Sequence, residues 1–417
     1  MKDIPNRYRQ RPAFIRQRRR RRLVMAVFGL FLLAVAVLTF DRMSIASIPT
    51  ITAKIVSQKT LTQAAVTPVW PDYGSGAIGA VGYDGVLAQY GDKSARPMAS
   101  ITKIVTALVV LDKKPLNGKA DGPEIKLTQV DQDIYNKALA AGAAVKPVAV
   151  GGSMSERQML EAMLLPSAAN YSETLAVWAY GSVDNYLTAA KVWLKKQNLT
   201  TIELVDTSGL LSGNVSSSAD LLKLGKLALN NSALASIVNL KQVNITDLGT
   251  INNSNYLLGA LGINGIKTGT TSEAGACMLF SSEIKVGGEK VTIVGVLLGA
   301  DGRDQQNSDV KNLLKSVQTG FRSVKVLKQG QALANYQTAW GQSARLVSAR
   351  DVNVVSWSDK PVTLKIKAGK FTVAKGGQQE GVVEITTSGK TTQQPLVLDS
   401  AITKPNLLWR LTHLINL

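Results

Sequence analysis

The sequence predicts an α+β domain, arranged as an α/β sandwich, followed by a small all-β domain and preceded by one membrane-spanning helix. Three observations carry this. Helical periodicities over residues 101–112, 153–165, 171–180 and 219–240 lie between strand-like patterns at 77–90 and 276–300, so strands from both ends of the region meet helices from its middle. Beyond Val324 the character changes to short alternating runs, VSWSDKPVTLKIKAG, FTVAKGG, EGVVEITTSGK and PLVLDS, separated by Gly, Asp and Lys. Near the start, Leu23 to Phe40 is an uncharged apolar run of 18 residues, just long enough to span a bilayer.

Composition narrows the function classes. With 417 residues, 45% hydrophobic and 18% charged, the chain is a folded globular protein with room for two domains and an anchor. Cys277 is the only cysteine and His413 the only histidine, which excludes an internal disulfide and the common zinc ligand sets. No metal and no cofactor are expected. The net charge of +19 suggests nucleic acid until it is located. Residues 1–22 carry Lys2, Arg7, Arg9, Arg11, Arg16 and Arg18 to Arg22 against Asp3, about half the excess. Arginines abutting an apolar span hold that end in the cytoplasm, so the remainder is exported and no nucleic-acid partner is expected. An uncleaved signal anchor is favoured over a cleaved signal peptide, for which Ser44-Ile45-Ala46-Ser47 offers small residues.

Taken in order, residues 1–22 form a basic cytoplasmic segment, 23–40 the anchor, and 41–70 a Ser/Thr/Ala-rich stalk or linker. The sandwich domain runs over 71–325. Ala77 to Tyr90 reads as two short strands around a Tyr83-Asp84-Gly85 turn. Pro97 precedes Met98-Ala99-Ser100, and ITKIVTALVVLD continues as a helix apolar nearly all round, hence buried. Ser153 with Glu156 three residues on marks a helix start, and the helix stops at Pro166-Ser167-Ala168-Ala169-Asn170. The β-rich domain covers 326–400. The tail, 401–417, ends in NLLWRLTHLINL, a short amphipathic helix that either touches a membrane surface or packs back on the protein.

Two short segments carry chemistry. Ser100 and Lys103, three apart on a helix, share a face, so the lysine amine reaches the hydroxyl. An ammonium inside an apolar helix is costly without a partner, and burial pushes it toward the neutral base that a serine nucleophile needs. Lys267-Thr268-Gly269-Thr270, far downstream, reads as a strand whose lysine and threonines face an anionic substrate group. Gly269 there lets a ligand lie against the backbone. S-x-x-K with K-T-G in this order is the pattern of acyl-transfer enzymes. Gly74 to Gly79 matches G-x-G-x-x-G but lacks the strand–helix frame of a dinucleotide site. Asp206-Thr207-Ser208-Gly209-Leu210 is read as a turn, and Arg303 as a solvated loop residue.

With PMASITKIVTA, LLPSAANYSETLA, DTSGL and GIKTGTTSEAGAC in hand, the chain resembles the serine D-alanyl-D-alanine carboxypeptidases, the low-molecular-mass penicillin-binding proteins. The resemblance covers roughly residues 70–325. It implies a penicillin-binding/β-lactamase-like catalytic domain in which Ser100 attacks the D-Ala-D-Ala peptide bond of peptidoglycan stem peptides, with Lys103 as base. It also implies an oxyanion hole from the N–H groups of Ser100 and Thr270, and a carboxylate site at Lys267, Thr268, Gly269 and Thr270. β-Lactams would trap the same serine. The family's middle motif, S-x-N, implies a proton-relaying Ser167 and a substrate-orienting asparagine. Here Ala169 takes the asparagine position and Asn170, the candidate substrate-binding residue, comes one residue late, so either the loop is rearranged to let Asn170 reach in or substrate positioning is weakened. A catalytically feeble penicillin-binding scaffold is the alternative. A β-lactamase is a third reading, disfavoured because Glu203, the only glutamate between the second and third motifs, lacks its usual context.

Overall fold

The computed structural model describes residues 11–43, 48–56 and 59–413. The region between the N-terminal segment and the β-rich part is a three-layer sandwich about a five-stranded antiparallel sheet, in the order Ile263–Thr271, Gly275–Val286, Glu289–Ala300, Ser75–Ala80, Ala88–Gly91. Side chains alternate across it as the pleat dictates. Ala77, Leu279, Val294 and Val296 join the large core beneath the helical lobe. Ile78, Phe280, Ile293 and Leu297 face the other way, onto Val310, Leu313, Leu314 and Val317 of the helix Arg303–Gln318. The helix Ser218–Asn230 packs on the first face.

The helix Thr102–Lys113 runs through the middle of the large core, and every residue from Thr102 to Leu111 is buried. Its apolar circumference, rather than a stripe, is what this location demands. The helix expected from Ser153 begins at Glu156 instead, because Ser153–Ser155 pairs as a strand with Glu124–Lys126. Ser155 is the cap, with Gln158 completing the box. The pattern over 219–240 is two helices, Ser218–Asn230 and Ser232–Val238, separated at Asn231, whose side chain caps the second.

The β-rich part is a seven-stranded antiparallel sheet that includes more of the chain than expected. Its order is Ala53–Ile55, Ala332–Gln337, Ser343–Ser348, Lys390–Leu398, Gln379–Thr387, Val362–Ala368, Thr60–Leu61. Residues 41–70 are therefore no free stalk: this segment supplies both edge strands. Since 55 and 60 are close in sequence, the two edges must face each other, and the sheet curls around Tyr336, Leu346, Val383, Ile385 and Leu396. The two domains meet where Tyr83 donates its hydroxyl to the Val355 carbonyl at 3.0 Å and Phe321 packs on Trp357.

The helix Arg11–Met43 contains a candidate membrane span within Arg16–Asp41, whose most apolar 18-residue window has a mean hydropathy of 2.8 and is not buried. Residues 1–10 and the small-residue stretch 44–47 lie outside the described residues. At the other end, the helix Leu407–Thr412 packs back through Trp409 onto Trp340, ring centroids 5.6 Å apart, leaving Leu408 exposed.

Candidate active site

Ser100 lies in a tight turn, Ala99–Ile101, that leads into the buried helix, with Ala99 at φ +46°. Lys103, one turn on, is 2% exposed and places Nζ 3.0 Å from Ser100 Oγ. Its second partner is the Ser208 carbonyl, at 2.8 Å. That carbonyl is fixed by the turn read earlier as structure. Asp206 accepts from the N–H groups of Ser208 and Gly209, both at 2.6 Å, and of Leu211 at 2.7 Å. The Thr207 carbonyl accepts from Thr106 and Ser172 hydroxyls, tying the turn to two core helices. Burial pulls the Lys103 ammonium down to about 7, against the opposing charge of Asp206. A lysine near neutrality is the base that Ser100 requires.

Opposite this corner runs the edge strand Ile263–Thr271. Gly269 packs so close to the nucleophile that a Cβ there would lie 2.6 Å from the Ser100 nitrogen, so any side chain would displace Ser100. Lys267 is buried and donates to the Thr268 carbonyl at 2.9 Å. Burial, then the charges of Lys103 and Arg303, hold its ammonium well below its ordinary range. Thr268 shares a hydrogen bond of 2.9 Å with Ser254, and Arg303 Nε donates to Thr270 Oγ1 at 3.3 Å. Three basic side chains thus lie close enough to disfavour one another's charge, an arrangement that a bound carboxylate would relieve.

The cleft, about 130 Å³, is lined by Ser100, Lys103, Ser167, Ala169, Ser208, Gly269, Thr270 and Arg303, with Gly142, Ala143 and Ala144 along one wall. A more open groove of about 800 Å³ between Leu187 and Leu204 holds no nucleophile–base pair. Ser167 has φ +68°, and its Oγ is buried with no hydrogen-bond partner. Asn170 is placed otherwise than expected. Its side chain is fully buried and bonds the backbone of Lys146, while Ala169 faces the cleft. The cause is helical geometry: Asn170 belongs to the helix Ala169–Tyr180, where one residue turns a side chain by about 100°.

The sequence reading missed Arg303, placed by the first turn of its helix after Gly302; the G-R-D loop following a strand was the available signal. Ser254 and the Ser208 carbonyl carry no sequence signal toward the site.

A family model described as D-alanyl-D-alanine carboxypeptidase matches residues 73–302. The D-alanyl-D-alanine carboxypeptidase of Streptomyces sp. strain K15 is 30% identical over 237 residues, 52% of this chain and 78% of that protein. A D-alanyl-D-alanine endopeptidase of Escherichia coli K12 is 26% identical over 300 residues, 67% of this chain and 91% of its own. Among solved structures, a mutant form of the Streptomyces K15 DD-transpeptidase is 26% identical, with a TM-score of 0.52 over 61% of this chain and 98% of that one. The D-alanyl-D-alanine carboxypeptidase DacD of Francisella tularensis shares the fold at 18% identity, with a TM-score of 0.57 over 84% of this chain and 98% of its own. The fold and the site define a serine acyl-transfer enzyme of the penicillin-binding class. The chain belongs to the D-alanyl-D-alanine carboxypeptidase family.

Proposed function

We propose that this protein is a serine-type D-alanyl-D-alanine carboxypeptidase acting on peptidoglycan stem peptides through an acyl-enzyme on Ser100. The observation that carries the reading is the 3.0 Å approach of the buried Lys103 amine to Ser100 Oγ, with Arg303 lining the same cleft and Lys267 buried within reach of the charges of both. The neutral Lys103 takes the Ser100 proton as Oγ attacks the carbonyl of the terminal peptide bond. The N–H groups of Ser100 and Thr270 receive the developing oxyanion, in a place kept open by Gly269. Lys267, Thr268, Thr270 and Arg303 hold the free C-terminal carboxylate. Ser167, whose hydroxyl has no partner within the protein, relays the proton taken up by Lys103 to the departing D-alanine amine, so that Lys103 is neutral again and Ser167 unchanged. Water then releases the shortened peptide, and β-lactams acylate the same serine.

The exposed apolar helix Arg16–Asp41 supports a membrane anchor, with the arginines cytoplasmic and the catalytic domain outside. Ala169 favours one competing reading, a binding protein with little turnover. The experiment is labelling of the detergent-solubilised full chain with a tagged penicillin while D-alanine release from a D-Ala-D-Ala peptide is followed. Labelling and release, both lost in Ser100→Ala, are expected. Labelling without release would establish the binding protein, and no labelling would end the acyl-transfer reading.

A further inference from the structure

We propose that Asn170 is a positioning residue that shapes the cleft wall through the loop 141–148, not a residue that contacts substrate. The proposal rests on the acyl-transfer reading. It starts from how the amide is used. Asn170 Oδ1 accepts from the Lys146 N–H at 3.1 Å, and Nδ2 donates to the Lys146 carbonyl at 2.9 Å. One planar group thus serves both backbone polar groups of a single residue, as a neighbouring strand would. Only an amide of this length offers a donor and an acceptor side by side.

The adjacent residues of the same helical turn extend the grip. The Ala169 N–H donates to the Ala144 carbonyl at 2.7 Å, and the Tyr171 hydroxyl donates to the Pro147 carbonyl at 2.8 Å. The loop's hydrogen bonds to the preceding helix end earlier, at Gly142 to Leu139 and Ala143 to Ala138. Among the described residues, the hydrogen bonds of the segment from Ala144 to Pro147 all come from the turn Ala169–Tyr171. Gly142, Ala143 and Ala144 then form the wall facing Gly269, Thr270 and Thr271. Their side chains carry no polar atom, so what this wall contributes is position alone. Turning Asn170 into the cleft would strip both backbone groups of Lys146 of their partners, a loss that a buried amide gains nothing by making. Ala169 already occupies the place it would take.

The test compares wild type, Asn170→Leu and Tyr171→Phe in the detergent-solubilised full chain. Leucine is similar in size to asparagine and removes both bonds to Lys146. Tyr171→Phe removes only the bond to Pro147 and leaves Asn170 intact. Three readouts are taken: KM and kcat for D-alanine release, the rate of Ser100 labelling by a small penicillin, and amide hydrogen exchange over 141–149. For Asn170→Leu the expected result is a KM raised about tenfold, kcat and labelling within about threefold of wild type, and faster exchange confined to the loop. Tyr171→Phe gives the same pattern at roughly twofold to threefold in KM. Lost turnover with loop exchange unchanged would overturn the proposal in favour of direct substrate contact. If Asn170→Leu does not fold, Tyr171→Phe decides: slower exchange or no change, with KM unaltered, overturns it. A wild-type chain that releases no D-alanine removes the acyl-transfer reading itself, a different failure from an unresponsive loop.

Discussion

Ser100 and Ser167 both line the cleft, and each is attached to backbone in a sparsely populated conformation: Ala99 precedes the first at φ +46°, and the second itself has φ +68°. Holding non-glycine residues there costs on the order of 1 kcal/mol or more each, and surrounding packing must enforce it. Their hydroxyls are nonetheless treated in opposite ways. Ser100 Oγ has a dedicated partner in Lys103, itself steered by a carbonyl that Asp206 and two core hydroxyls hold in place. Ser167 Oγ is shut away from water with nothing to bond. The first is given a partner by the protein; the second is left without one.

Three changes press on that contrast. Lys103→Met removes the partner of Ser100 while keeping the length of the side chain, and about a 1000-fold loss in acylation rate is expected. In wild type the same base gives an acid limb: because the neutral amine is the active form and its titration lies at about 7, acylation falls as pH drops below that value. A pH profile of penicillin labelling checks both. An acid limb near 10 would mean that Lys103 stays charged at neutrality and is not the base. Ser167→Ala should lower turnover by roughly 10-fold to 100-fold, with no loss of stability, since no hydrogen bond is removed. A lowered melting temperature in that variant would mean that Ser167 has a partner within the fold and the contrast fails.

Glu156 sharpens the comparison from outside the site. Its two oxygens are also buried without partners, beside Gly122, and burial raises the carboxyl to about 7 against the pull of Lys114. A carboxyl raised in the folded state binds its proton more tightly there than in the unfolded chain. Stability is therefore full below about 4.5 and declines as pH rises toward 7, by about 3 kcal/mol at most. Glu156→Gln should flatten that decline in denaturant melts without changing kcat. A decline that persists in the variant would assign it to other groups.

Much of this site was legible because its chemistry is encoded at fixed short spacings. A spacing of three from Ser100 to Lys103 makes one helical face, and apolar residues nearly all round make that helix a core helix. Alternation over 276–300 similarly exposed the central strands. What escaped was encoded in space. Arg303 arrives from a helix after the last strand of the sheet, and the Ser208 carbonyl is backbone, identical in every sequence. Asn170 looked like a shifted copy of a motif residue, and only its pairing with Lys146 assigns it another place. Residues 53–55 and 60–61 read as stalk because strands so short show no periodicity until they find their partners.

Those two short strands set the path of the chain toward the cleft. After the bridge from Ile51 to Phe371, Ala53–Ile55 pairs with Ala334 to Tyr336, and the chain then crosses to the opposite edge to pair with Val362 and Thr363. Val66 and Val69 then donate their N–H groups to the Ser358 and Ser316 hydroxyls before the chain reaches the strand Ser75–Ala80. The β-rich domain is therefore stitched from both ends of the sequence, and its sheet is complete only with residues that precede the sandwich domain and residues that follow it.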